Sequence, residues 1–244
     1  MLFQSKGAIV GRRFLSRVAT AIGGLALVAS TAAPASASAL CCIFSDDPFA
    51  GYGVYHAADV RQVTATWTQP AVDCAGVRSA VDFEVTIYNY ATTNPYLYAG
   101  VGTVADCASG RPAYSGWYET TGFSSRARWA DPVAPGDVLH GTVDYQGDKL
   151  YRFTLENVTR GWRKTALLAG PNQPQGTQVG VERPNGRFPN FGSVPFTNVL
   201  QDGHPIGEYG PVAESAAFGI VDPLQVTPGT LTENKNFSPT FVHA

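Results

Sequence analysis

Hydrophobic and polar residues alternate with a period of two along much of the chain. The clearest run is Val81-Asp82-Phe83-Glu84-Val85-Thr86-Ile87-Tyr88. Such alternation sends successive side chains to opposite faces of a strand. Residues 63–68 (VTATWT) are β-branched and aromatic and stop at Pro70. Residues 138–145 and 150–158 flank Gln146-Gly147-Asp148-Lys149, a hairpin signal. Further strands are predicted at 162–168, at 179–182 before the turn Arg183-Pro184-Asn185-Gly186, at 191–199 and at 237–243. Only 212–220 suits a short helix, and 205–236 reads as a long, partly irregular loop. Many short strands separated by turn signals predict an all-β sandwich or barrel.

The first 39 residues break this pattern. They hold Lys6, Arg12, Arg13 and Arg17, no acid, an apolar run at 18–28, and small residues ending in Ala37-Ser38-Ala39. A basic start, a short apolar run and an A-x-A site predict a secretory signal over 1–39, cleaved after Ala39. The run is shorter than the ~20 residues a membrane span needs. Residues 40–244 show no repeat or linker and are expected to form one domain, a secreted, extracellular monomer with no membrane partner.

Composition narrows the choice. Charged residues are 15% of the chain, and 26 Gly and 17 Pro occur without repetition. Many turns follow, and a coiled coil or collagen-like chain is excluded. The signal takes four of the 17 basic groups and none of the 19 acids, leaving 13 basic groups against 19 acids. No nucleic-acid partner is expected of so acidic a surface. All four cysteines, Cys41, Cys42, Cys74 and Cys107, follow the signal, so an oxidising environment makes a disulfide the default. Neighbouring Cα atoms are too close for the usual bridge, so Cys41 and Cys42 rarely bond to each other; Cys74–Cys107 is the favoured bridge, and the state of Cys41 and Cys42 stays open. No C-x-x-C or paired-histidine spacing occurs, so neither a metal nor a cofactor is expected.

Nucleophile elbows, zinc motifs and phosphate loops are absent, which leaves carboxylates and aromatics as candidate chemistry. Alternation puts Val179 and Val181 towards the core and Gln178, Gly180 and Glu182 on the outer face. Glu119 stands beside Trp117 and Tyr118, where an aromatic wall can raise a carboxyl pKa by desolvation.

Several short segments occur in an order that resembles the glutamic endopeptidases, the eqolisin family. They are Ala65-Thr66-Trp67-Thr68-Gln69-Pro70, Gly102-Thr103 with Ala105-Asp106-Cys107, Trp117-Tyr118-Glu119, Val133-Ala134-Pro135-Gly136-Asp137, Glu156-Asn157-Val158-Thr159-Arg160-Gly161, Val181-Glu182-Arg183-Pro184 and Phe191-Gly192-Ser193-Val194-Pro195-Phe196-Thr197-Asn198. The resemblance implies an antiparallel two-sheet β-sandwich, of concanavalin-like or jelly-roll type, with a concave substrate groove. It also implies a Glu–Gln dyad, with the Glu as general base and then acid and the Gln stabilising the oxyanion. Glu182 takes the Glu position. Trp117 and Glu119, with Trp67, are the expected substrate contacts. The family Gln falls on Gly100 or Tyr98, neither of which is Gln, and Phe83-Glu84-Val85-Thr86-Ile87-Tyr88 replaces the family's W-V-G-I-D segment. Tyr98 is the expected substitute donor, with Gln69 and Gln178 as the other candidates. The sequon Asn157-Val158-Thr159 lies in the family's E-N-x-T-x-G hairpin and is read as turn chemistry.

Two functions follow from this reading. The first is a secreted endopeptidase acting at acid pH on protein or peptide substrates. The alternative is a catalytically inactive sandwich that binds peptide, protein or glycan in the groove. A third, glycoside hydrolysis by Glu119 and Glu182, would need those carboxylates at a defined separation.

Overall fold

The alternating run at 81–88 becomes the middle strand of the larger of two sheets. A computed structural model describes residues 47–55, 57, 59–89, 97–172, 174–218 and 224–243. The expected signal, Cys41 and Cys42 lie outside the described residues. In chain order the strands are β1 (Phe49–Val54), β2 (Gln62–Thr68), β3 (Ala80–Asn89), β4 (Leu97–Asp106), β5 (Ala113–Thr120), β6 (Ser124–Arg128), β7 (Val138–Gly147) and β8 (Leu150–Asn157). There follow β9 (Trp162–Ala169), β10 (Gly176–Glu182), β11 (Phe196–Gln201), β12 (His204–Pro205), β13 (Val212–Glu214), β14 (Ala216–Ala217), β15 (Leu224–Thr227) and β16 (Thr240–Phe241).

One sheet has the order β13-β1-β10-β3-β4-β5-β6 and the other β12-β11-β2-β7-β8-β9, while β14-β15-β16 form a small third sheet. Neighbours are antiparallel throughout. Each large sheet keeps two edge strands, so the pair is an open sandwich and not a barrel.

Apolar faces meet between the sheets. Val81, Phe83, Val85 and Ile87 of β3 and Val179 and Val181 of β10 face Val63, Ala65 and Trp67 of β2 and Tyr151, Phe153 and Leu155 of β8, all buried in one cluster. Period-2 alternation therefore places Glu182 opposite Val181, on the outer face, as expected.

Three expectations need correction. Residues 212–217 form strands and not a helix: β13 pairs with β1 at the sheet edge, and a single 3-10 turn falls earlier, at Ile206–Tyr209. Pairing of β13 with β1 and of β14 with β15 satisfies their backbone groups between strands. The strand expected at 191–199 begins at Phe196, and that expected at 237–243 is only Thr240–Phe241. The sequence also hid β1 and β4, whose glycines dilute the strand signal.

Cys74 and Cys107 form the favoured disulfide, with Cα atoms 5.3 Å apart, joining the segment before β3 to the end of β4. The bridge spans 33 residues, a loop whose closure removes ~3.5 kcal/mol of chain entropy from the unfolded state. Replacing both cysteines by Ala is expected to lower the chemical-denaturation stability by about that amount; an unchanged midpoint would show the constraint to be idle. The sequon hairpin is turn chemistry: buried Asn157 donates Nδ2 to Asp137 Oδ2 and accepts from the Arg160 amide.

Candidate active site

Pairing register decides which side chains share the outer face of the larger sheet. Glu182, Asp82 and Val104 form one rung; Gly180, Glu84, Gly102 and Trp117 the next; Gln178, Thr86, Gly100 and Glu119 the third; Tyr88 and Tyr98 a fourth. Strands β10, β3, β4 and β5 thus gather Glu182, Asp82, Glu84 and Glu119 on one surface. The glycines beside Glu84 are required by the close approach of the strands. A Cβ on Gly102 would strike the Phe83 carbonyl oxygen, and one on Gly180 that of Ala50.

Arg126, from β6, ties this surface together. Its Nη1 lies 2.6 Å from Asp82 Oδ2 and its Nη2 2.7 Å from Glu119 Oε1. The guanidinium stacks 3.8 Å from the Trp117 ring centroid, leaving that Trp fully buried. Tyr98 donates its hydroxyl to the same Glu119 oxygen at 2.6 Å. The chain Asp82–Arg126–Glu119–Tyr98 therefore crosses the sheet from β3 to β5.

Charge is costly here. Burial pushes the Asp82 carboxyl up to about 6 even with Arg126 opposing the shift. Glu182 rises to about 7, again chiefly by burial, with the charges of Asp82 and Glu119 adding to it. It stays half-buried, keeping solvent access at the end of β10 although protein atoms crowd its carboxyl. Burial, then the charges of Glu182, Glu84 and Glu119, raise the Tyr98 phenol and keep it a donor. A cleft of about 470 Å³ adjoins the cluster, bounded by Glu119 and Arg126 together with Ala80, Val104, Arg128 and Pro184.

The structure brings Glu182, Glu119, Trp117 and Tyr98 to one face, although the Tyr98 hydroxyl is given to Glu119. Trp67 does not join them. It is 1% exposed between the sheets, donating Nε1 to Thr103 Oγ1 at 3.2 Å, so it is a core residue and not a groove contact. Gln69 is buried on that same inner side, accepting from Thr103 Oγ1. Gln178 shares the outer face but stands four residues along β10 from Glu182 and donates to Tyr55 and Glu214. The backbones of Glu119 and Glu182 stand three strands and two rungs apart, roughly 14 Å across the sheet, and their side chains project from the same face.

Asp82, Glu84 and Arg126 were missed by sequence reasoning. The signal was present: alternation in 81–88 puts both acids on the face of Glu182.

Among the described residues, no group of His, Cys, Asp and Glu is arranged to hold a metal. No curated protein sequence matches the chain. Solved structures do match it in fold. Scytalido-glutamic peptidase with a transition state analog inhibitor aligns at TM-score 0.66 and 18% identity, over 80% of this chain and 98% of that one. SCP-B, an eqolisin in complex with the tripeptide Ala-Ile-His, aligns at 0.62 and 18%, over 80% and 98%. Aspergilloglutamic peptidase from Aspergillus niger aligns at 0.51 and 21%, over 67% and 99%. The class is thus the antiparallel β-sandwich of the glutamic peptidases, with a carboxyl cluster on the outer face of its larger sheet. Residues 48–239 match the Peptidase A4 family, and the chain belongs to that family, the eqolisins of the sequence resemblance.

Proposed function

We propose that this chain is a secreted endopeptidase that cleaves protein or peptide substrates with Glu182 as general base. One observation carries the reading: Glu182, partly exposed at the end of β10, lies beside the fully buried acids Asp82 and Glu84, and its pKa is raised to about 7. A base with a raised pKa can take a proton from water and return it to a leaving amine. The Glu182 carboxylate removes one proton from water while the water oxygen bonds to the scissile carbonyl carbon. The carbonyl π pair moves onto oxygen, where the Tyr98 hydroxyl donates to it. Glu182 then passes its proton to the amide nitrogen, the C–N bond breaks and the C=O re-forms. The Tyr98 hydroxyl must turn from Glu119 to do this. Glu182 acts as base only when ionised, so with its pKa raised to about 7 activity is expected to be greatest around neutrality and to fall in acid, above the acid range that the resemblance implies.

Cleavage of acid-denatured haemoglobin between pH 2 and 8 tests the assignment. Glu182→Gln is expected to lose ~10³-fold or more, and Tyr98→Phe about 10²-fold, the usual loss for an oxyanion donor. Cleavage equal in wild type and Glu182→Gln removes Glu182 as base. No cleavage by folded wild-type protein at any pH favours the binding reading, which the Tyr98 and Arg126 donors already committed to Glu119 would suit.

A further inference from the structure

Glu84 has no counterpart in the resemblance, yet it occupies the centre of the carboxyl cluster. It projects from the middle strand β3 between Gly180 and Gly102, so no side chain flanks it on its own rung. It is fully buried, and no N–H or hydroxyl donor reaches either of its oxygens. The charged and titratable groups around it are Asp82 on its own strand, Glu182 on β10, Tyr98 on β4 and Arg126 on β6, with Glu119 on the next rung of β5. Glu214 stands at the far end of its rung, beyond Gly180 and Gly51. The nearby cation, Arg126, is already engaged by Asp82 and Glu119. An ionised carboxylate in this position would be desolvated, undonated and beside other acids, which is among the costliest states a side chain can occupy. The polar group it meets is the Glu182 carboxyl. Two carboxyls in contact are favourable only with a proton between them.

We infer that Glu84 and Glu182 form a proton-sharing carboxyl pair, in which buried Glu84 holds the proton and positions Glu182 as the ionised, water-facing base. This deepens the proposed function and rests on it. Glu84 acts through Glu182 and does not touch substrate, so it is a positioning residue. Its O–H gives Glu182 a neutral hydrogen-bond donor, the same service an amide would provide, in a chain with no Gln at position 98 or 100. Burial first, then the charges of Glu182 and Asp82, raise the Glu84 pKa, and the rise of Glu182 is opposed by the Glu84 hydrogen bond and, after it, by the charge of Arg126. Such a pair releases its protons in two macroscopic steps. The singly protonated form is the competent one, which makes the pH–rate profile a bell: Glu182 ionisation sets the acid limb and Glu84 ionisation the alkaline limb.

Two measurements test the pair. In a carboxyl ¹³C titration of the wild-type protein, Glu84 is expected to stay protonated well above the ordinary carboxylate range. In Glu182→Gln its midpoint should fall by ~1 pH unit or more, because the adjacent negative charge is gone. Ionisation of Glu84 in the ordinary carboxylate range, or a midpoint indifferent to Glu182→Gln, overturns the inference. The second measurement is haemoglobin cleavage. Glu84→Gln should keep activity within about tenfold at the optimum while losing the alkaline limb, and Glu84→Leu should fall ~10²-fold or more. A Glu84→Gln profile that superimposes on wild type, or full activity in Glu84→Leu, shows that Glu84 is structural only. Absence of cleavage in wild type sinks the peptidase reading and the positioning role, while the titration still decides whether the proton is shared.

Discussion

Thermal unfolding of this protein is expected to have its highest midpoint near pH 4–5 and to lose roughly 10–20 °C by pH 8. Asp82 is raised to about 6, and Glu182 and Glu214 each to about 7, in every case chiefly by burial. Glu84 is raised well above its ordinary value for the same reason. An acid whose folded pKa exceeds its unfolded pKa binds more protons native than unfolded between the two values. Stability then falls as pH rises, being complete below the unfolded pKa near 4 and lost on passing 6 to 7. A tenfold difference in proton affinity between the folded and unfolded states is worth ~1.4 kcal/mol. The group effect, discounted for the repulsion these acids share, is on the order of 5 kcal/mol. Two groups oppose it. For Asp137 burial works upward, but hydrogen bonds from Arg160, Asn157 and Ala134 outweigh it and lower the pKa, so its stabilisation is lost only in strong acid. Burial lowers the His140 pKa, which removes some stability below pH 6.5. Four raised acids outweigh one lowered histidine over the pH 4–7 window. Calorimetry across pH 3–9 decides the matter; a midpoint that climbs steadily towards pH 8 would mean that these carboxyls are not held neutral.

Legibility in the sequence followed the periodicity of burial. Where one face is apolar and the other polar, as in β3, β7, β8 and β10, the pattern located the strand, and in β10 it also located the inner face. It failed in β1 and β4 because Gly51, Gly53, Gly100 and Gly102 occupy outer positions where a side chain would collide or crowd a neighbour. Their lack of side chains is a tertiary requirement that local propensity does not encode. Glu182 was readable from its place opposite Val181. Trp67 was misread because its A-T-W-T-Q-P context, carried by resemblance, says nothing about face; its own parity with Val63 and Ala65 puts it in the core. Glu84 was overlooked for a related reason. A carboxylate on the polar side of an alternating strand looks solvated until the register shows it between two glycines and against another acid. Arg126 lies in a short strand with little apolar signal, and its two carboxylate partners are 44 and 7 residues away.

Replacing Arg126 by Met is expected to cost ~3–5 kcal/mol at pH 7.5, the range for breaking a buried ion pair by removing one partner. Met keeps an unbranched stem over Trp117 but leaves Asp82, whose side chain is 1% exposed, without its cation. Glu119 retains the Tyr98 hydroxyl, so the larger loss falls on Asp82. At pH 4 the penalty should shrink to about 1–2 kcal/mol, because a protonated Asp82 no longer demands a counter-charge and what remains is lost packing and hydrogen bonding. Chemical denaturation at the two pH values separates these contributions. Equal losses at both would show that the ion pairs contribute nothing beyond packing. The same substitution has a catalytic consequence of definite sign. Arg126 opposes the upward displacement of Asp82, Glu84 and Glu182. Its removal should move both limbs of the pH–rate profile towards alkaline pH, whereas a purely structural defect would lower the rate without moving them. The guanidinium therefore couples the stability of the sheet's outer face to the basicity of Glu182: the cation that permits acids to crowd β3, β5 and β10 also limits how far the pKa of the proposed base can rise.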